Sequence, residues 1–221
     1  MDAFEQIVAE VFKSQNYWVQ PSVKVILTNT DREAIARTNF ESNPEVNWER
    51  HLKNARGLPR PEIDLVAYKP QENKLLVIEC KSYIDSKGVQ AHAFVNPQHK
   101  DAERYKLFTR PGYRQVVFQR LLQQFMQTGL ILQGAELQLC LACGKISNEN
   151  TRNLLRDHFL QNGWQIFDDR FFRVQMTQIA NGAYENSILS VLVKILFGPN
   201  QNLHRAAALD HLREIFEQEA H

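Results

Sequence analysis

Residues 63–83 constrain this chain more than any other stretch. Two β-type runs, 63–68 and 75–83, are separated by Pro70, Gln71, Glu72 and Asn73, a composition that reverses the chain in a short loop. In the simplest register Lys69 faces Lys74 across the loop, and counting back along both strands places Asp64 opposite Glu79. Facing Cβ atoms lie about 5 Å apart, where two unit charges repel by about 3 kcal/mol at an effective dielectric near 20. A proton, a basic neighbour or a divalent cation must compensate. A slip of two residues keeps the carboxylates on one face as diagonal neighbours, whereas a slip of one does not.

Short acid-x-Lys patterns are cheap. With 25 acids and 11 lysines in 221 positions, about one is expected from composition alone, and the chain has three: Glu72-Asn73-Lys74, Asp85-Ser86-Lys87 and Glu79-Cys80-Lys81. Only the third lies inside an apolar strand, where residues two apart share a face. Two carboxylates beside a lysine are a donor set for a hard cation that prefers oxygen. Strand-end acids held by Arg60 and Lys81 in ordinary ion pairs would need no cation.

Around this hairpin the pattern alternates between helix and strand. Residues 2–15 carry Phe4, Ile7, Val8, Val11 and Phe12 at helical spacing, with Asp2 as a cap and Asn16 as a left-handed end. Residues 17–27 predict a strand bent at Pro21, and the polar stretch 31–55 an insertion or flap. Helices are predicted over 98–109 and 113–129, parted by Pro111 and Gly112. A strand over 136–143, a helix over 150–161 and a short strand over 164–167 follow. After Asp168 the chain reads as helical, with a break at Gly198 and Pro199. With 43% hydrophobic and 23% charged residues the chain is globular. The expectation is one α/β domain over 1–221, with a motif-bearing core over about 1–145 and a helical part over about 146–221.

Two stretches resemble a known family. Arg60-Pro61-Glu62-Ile63-Asp64, followed by the hairpin and Val77-Ile78-Glu79-Cys80-Lys81, resembles the signature of the PD-(D/E)xK nucleases. Residues 4–19 are similar to the first helix of the archaeal Holliday-junction-resolvase and methyl-directed restriction branches, where a helix carrying an acid ends in a Gly-aromatic pair. Asn16 and Tyr17 stand at that pair's position. The resemblance covers roughly residues 1–83. The motif proline lies three residues before Asp64 rather than beside it, and residues 28–58 exceed the family's usual link.

The resemblance implies a restriction-endonuclease-like fold, a mixed central sheet flanked by helices, here with a largely helical C-terminal third. It implies a Mg²⁺-dependent DNA endonuclease, with Mn²⁺ as a substitute, acting in restriction and defence or in DNA repair. Asp64, Glu79 and the backbone carbonyl of Cys80 would bind the ion. Glu5, by its spacing to Asn16-Tyr17, would be an outer acid reaching it directly or through water, with Glu10 across the apolar stripe as the alternative. A plain solvated helix-face acid is the non-functional reading of Glu5. Lys81 would orient or deprotonate the attacking water. The chemical need is general, because an anionic phosphodiester requires a shielding cation, an in-line water and help for the leaving oxygen. Two rivals are a non-catalytic nucleic-acid-binding module of the same fold and an RNA-directed or junction-resolving nuclease.

Charge distribution agrees with a polyanionic partner. Net charge is +1, yet residues 50–60 and 98–120 each carry +4, which leaves −7 on the remainder. Arg56, Arg60, Lys100, Arg104, Lys106, Arg110 and Arg114 are the candidate DNA contacts, with Arg120, Tyr105 and Tyr113 beside them. A homodimer is expected if both strands of a duplex are cut. Cys140-Leu-Ala-Cys143 lacks a second cysteine pair and reads as buried structural thiols. His51, His92 and His99 neighbour the basic windows and read as surface histidines. Three cysteines, no apolar run near 20 residues and an acidic N-terminal pattern predict a cytoplasmic protein with no membrane span. No small-molecule cofactor is expected.

Overall fold

A computed structural model describes the backbone of residues 2–42, 61–96, 98–182 and 188–197. Helix α1 (Ala3–Ser14) begins with a reciprocal cap. The Asp2 carboxylate accepts the Glu5 N–H at 2.8 Å, and Glu5 accepts the Asp2 N–H at 2.9 Å. Its apolar stripe buries Phe4, Val8, Val11 and Phe12. Asn16, at φ 65°, turns the chain into strand β1 (Trp18–Lys24), which holds an edge of the sheet and so tolerates Pro21.

The hairpin forms in the register expected from the sequence. Strands β2 (Glu62–Lys69) and β3 (Lys74–Lys81) pair with Lys69 opposite Lys74. A 3₁₀ turn over Pro70–Glu72 and left-handed Asn73 join them, and the Tyr68 hydroxyl donates to Asn73 Oδ1 at 2.8 Å. Strand β4 (Glu136–Cys143) lies parallel to β3, and β5 (Gln165–Phe167) parallel to β4. The result is an α/β fold around a five-stranded mixed sheet in the order β1-β2-β3-β4-β5. Helix α6 (Glu149–Gln161) makes the crossover from β4 to β5.

Two regions differ from the sequence reading. Within the stretch expected to be a flap, residues Asn29–Ser42 form helix α2. Its start is fixed by Thr28, whose hydroxyl donates to Asp31 Oδ2 at 2.6 Å. Arg120 Nε reaches the same oxygen at 2.6 Å from 89 residues away. That ion pair is non-local, so no apolar stripe announces it. The stretch expected as one helix over 98–109 is a 3₁₀ turn over Lys100–Tyr105 followed by a short helix, α4 (Lys106–Thr109), and a further short helix, α3 (His92–Val95), lies upstream of it. Buried Ala102 and Tyr105 are three apart, the period of a 3₁₀ turn. Helix α5 (Pro111–Gln127) starts at Pro111 itself, where a missing N–H costs nothing.

One face of the sheet buries Val66, Leu75, Val77, Leu139 and Leu141 with Phe108, Leu121 and Phe125. On the other face Leu65, Leu76 and Ile78 are buried where α1 lies against β1, β2 and β3. Residues Met1–Asp169 form one compact unit that holds all five strands, and Arg170–His221 form a second. In the second, α7 (Asp169–Asn181) continues from the junction. Lys194 of α8 (Ile188–Phe197) donates to the carbonyls of Ala180 and Gly182 at 3.2 and 2.6 Å. The C-terminal region is therefore helical as far as it is described. Among the described residues no helix is long and apolar enough to cross a membrane.

The sheet opens at one end. The β1–β2 ladder skips the Ser22–Asp64 pair, with Ser22 at φ 51°, and the β2–β3 ladder ends at Leu65 opposite Ile78. Beyond that point β2 follows β1 alone while β3 continues beside β4 to Lys81 opposite Cys143. At the exit of β4, Gly144 donates its N–H to the Lys81 carbonyl at 3.0 Å. A Cβ there would lie 2.5 Å from the Ser82 carbonyl oxygen, so the backbone itself would have to move. Gly144→Ala is expected to lower unfolding free energy by about 1–3 kcal/mol. An unchanged urea midpoint would contradict this close packing.

Candidate metal and nucleic-acid site

The opening between β2 and β3 is where the candidate residues meet. Freed from a ladder partner, the Cys80 N–H donates to Asp64 Oδ2 at 2.7 Å. Lys81 Nζ lies 2.5 Å from Glu79 Oε1 and 3.9 Å from Asp64 Oδ2. The Lys81 ammonium is therefore within reach of both acids at the end of the hairpin. The Lys81 carbonyl points to β4, where Gly144 binds it. Successive carbonyls along a strand alternate sides, so the carbonyl of Cys80 is turned toward β2 and the gap.

Burial raises Asp64 from its ordinary value to about 6, and the neighbouring Glu79 charge adds to the rise. The Cys80 N–H and Lys81 oppose it without cancelling it. For Lys81 burial pulls downward, but Glu79 and Asp64 outweigh it and hold the group above the ordinary lysine value. One ammonium thus serves two carboxylates, and burial together with the Glu79 charge keeps Asp64 protonated up to about pH 6. Hard oxygen donors with surplus negative charge suit a divalent cation.

Glu5 is tied into the α1 cap through its bond to the Asp2 N–H. Its charge is felt at the Cys80 thiol, which burial pushes up first. Asp2, which the motif did not mark, adds its charge at Asp64. The first turn of α1 thus contributes acids beside the gap.

The basic residues fall into two groups. Arg104 and Lys106 are exposed and line a cleft with Glu79, Leu107 and Tyr113, and Lys100 is exposed nearby in sequence. Arg110 pairs with Glu103. Arg114 donates to the carbonyls of Leu107 and Phe108 at 2.9 and 3.0 Å and lies over the Trp164 ring, and Arg120 anchors α2. Arg114 and Arg120 therefore brace the fold. Arg56 and Arg60 lie outside the described residues.

Tyr83 was not marked by any motif. It holds φ 44°, a conformation that costs a bulky residue about 1–3 kcal/mol, and its side chain hydrogen-bonds with Arg104 and Tyr105. Cys140 and Cys143 are fully buried, and burial raises both thiols. They form no disulfide, in keeping with a structural role. Comparison of the chain with protein-family models, curated proteins and solved structures finds no match.

Because the folded chain favours protonated Asp64, that group makes stability fall as pH rises from about 4 to about 6. Asp64→Asn removes the buried charge while an amide oxygen can still accept the Cys80 N–H. It is expected to stabilise the protein by about 1–2 kcal/mol at pH 8 and by nothing below about pH 4. Equal urea midpoints for the two proteins at pH 8 would refute the electrostatic account.

Proposed function

We propose that this protein is a Mg²⁺-dependent DNA endonuclease of the restriction-endonuclease-like class its motif resembles. The observation that carries the reading is the convergence of Asp64, Glu79 and Lys81 where the sheet opens, with the Cys80 N–H fixing one carboxylate. Asp64, Glu79 and the Cys80 carbonyl would hold the ion, a donor set of the hard oxygens that Mg²⁺ prefers. Glu5 would act from the outside through water. When bound, the ion shields the phosphate and acidifies a water.

Lys81 enters as an ammonium, held so by Glu79. In that state it orients the attacking water and offsets charge gathering on the phosphate, and it does not take the water's proton. The water oxygen bonds to phosphorus as the bond to the 3′ oxygen breaks; the water's proton passes to bulk solvent and a solvent proton goes to the 3′ oxygen, which leaves a 5′ phosphate and a 3′ hydroxyl. Arg104 and Lys106 on the cleft wall neutralise neighbouring phosphates. Cleavage of both strands would bring two copies together about the duplex dyad.

Incubation of the full chain with supercoiled plasmid and Mg²⁺ or Mn²⁺ tests the reading. Nicking or linearisation is expected, and Asp64→Ala and Lys81→Ala should each slow it at least about 100-fold. At limiting Mg²⁺ the rate should climb about tenfold per pH unit up to about pH 6, since proton and ion compete for Asp64. Salt-dependent binding of duplex, branched and single-stranded DNA without any cleavage would replace the nuclease with a binding module. Cleavage confined to RNA would redirect the substrate.

The two groups of cations separate in a second measurement. Arg104→Ala should weaken DNA binding and reduce the slope of log affinity against log salt by about 1. Arg114→Ala should instead lower the unfolding midpoint, because its guanidinium binds two backbone carbonyls. The reverse pattern would show the cations to be wrongly assigned.

A further inference from the structure

A second group of ligating side chains lies outside the carboxylate site. His92 opens α3, His99 caps the following 3₁₀ turn, and Asp101 sits in that turn's first residues. One potential ligand atom from each lies within 4.8 Å of the other two. His92 Nε2 is 3.9 Å and His99 Nδ1 3.6 Å from the same carboxylate oxygen, Asp101 Oδ2.

The arrangement of acceptors points to a cation. His99 Nδ1 accepts the backbone N–H of Asp101 at 3.2 Å, a long bond that coordination through this nitrogen would replace, because the nitrogen has a single lone pair. It nevertheless faces Oδ2, another acceptor, at a distance where neither bonds the other. The nearest positive side chain, Arg104, approaches the opposite oxygen, with Nε 3.8 Å from Oδ1. Oδ2 is thus left to the two imidazoles.

From this we propose that His92, His99 and Asp101 bind a transition-metal ion of the zinc class, in a site separate from the Mg²⁺ site. Two imidazoles and one carboxylate, with a position open to solvent, are typical zinc ligands, whereas Mg²⁺ prefers oxygen. Ligands about 2.0–2.2 Å from zinc lie roughly 3.3 Å from one another. The spacings of the two imidazoles to Asp101 Oδ2 are slightly wider, and His92, 46% exposed, is at the surface. Among the described residues the cysteines are buried and cannot compete. Bound metal would staple α3 to the turn that carries Arg104 to the cleft.

The test uses the full chain without an affinity tag, stripped of metal by a chelator and carrying Asp64→Asn to disable the carboxylate site. Titration with Co²⁺ should produce visible ligand-field bands that saturate at one equivalent and disappear on adding Zn²⁺ but not excess Mg²⁺. His92→Ala and His99→Ala should each weaken Co²⁺ binding at least about tenfold. In the parent, Zn²⁺ should raise the thermal midpoint, and each variant should lose that rise. Absence of the bands, or bands of equal strength in both variants, would overturn the proposal. Plasmid cleavage does not enter these readouts, so the zinc-class site and the nuclease reading can fail separately.

Discussion

The hydrogen bond from the Cys80 N–H to the Asp64 carboxylate joins the fold to the candidate site. Backbone N–H groups at a sheet interior are normally satisfied by the next strand. Here β2 leaves β3 after Leu65, and a side chain takes the place of the missing ladder partner. That substitution allows the sheet to open without leaving a donor unpaired. It also commits one Asp64 oxygen to a fixed direction, facing the end of β3.

Charge balance follows from the same opening. Two carboxylates on one face of a hairpin repel, and Lys81 between them relieves only part of that repulsion. The remainder adds to the rise of Asp64 to about 6, which burial drives first. Such unrelieved like charge is unfavourable for folding and common at sites that take up a cation or a proton. The surroundings hold the arrangement in place. Gly144 brings the exits of β3 and β4 together, and Arg152 is buried in ion pairs with Asp168 and Asp169 behind β4.

Cations that look equivalent along the chain have different physical roles. Arg114, Arg120 and Arg152 bind backbone carbonyls or partly buried carboxylates and hold helices to the sheet or to one another. Arg104 and Lys106 remain at the surface of a cleft that Glu79 also lines. The pairing of a guanidinium with an acid 89 residues distant cannot be inferred from local charge density. For that reason a basic window counts more surface cations than the folded chain presents.

Alternation, turn chemistry and capping are local properties, and they made several elements legible from the residues alone. The hairpin register, the Asp2 cap, the left-handed Asn16 and strand β4 all depend on neighbours within a few positions. The meeting of Asp64, Glu79 and Lys81 at the end of the hairpin was legible for the same reason, since the short loop sets the register of the two strands. What depended on distant contacts was decided only by tertiary structure. Helix α2 is anchored by Arg120, and Tyr83 is held in a strained turn against Arg104. A sequence encodes such meetings through the packing of the whole sheet and its helices, and no short pattern carries them.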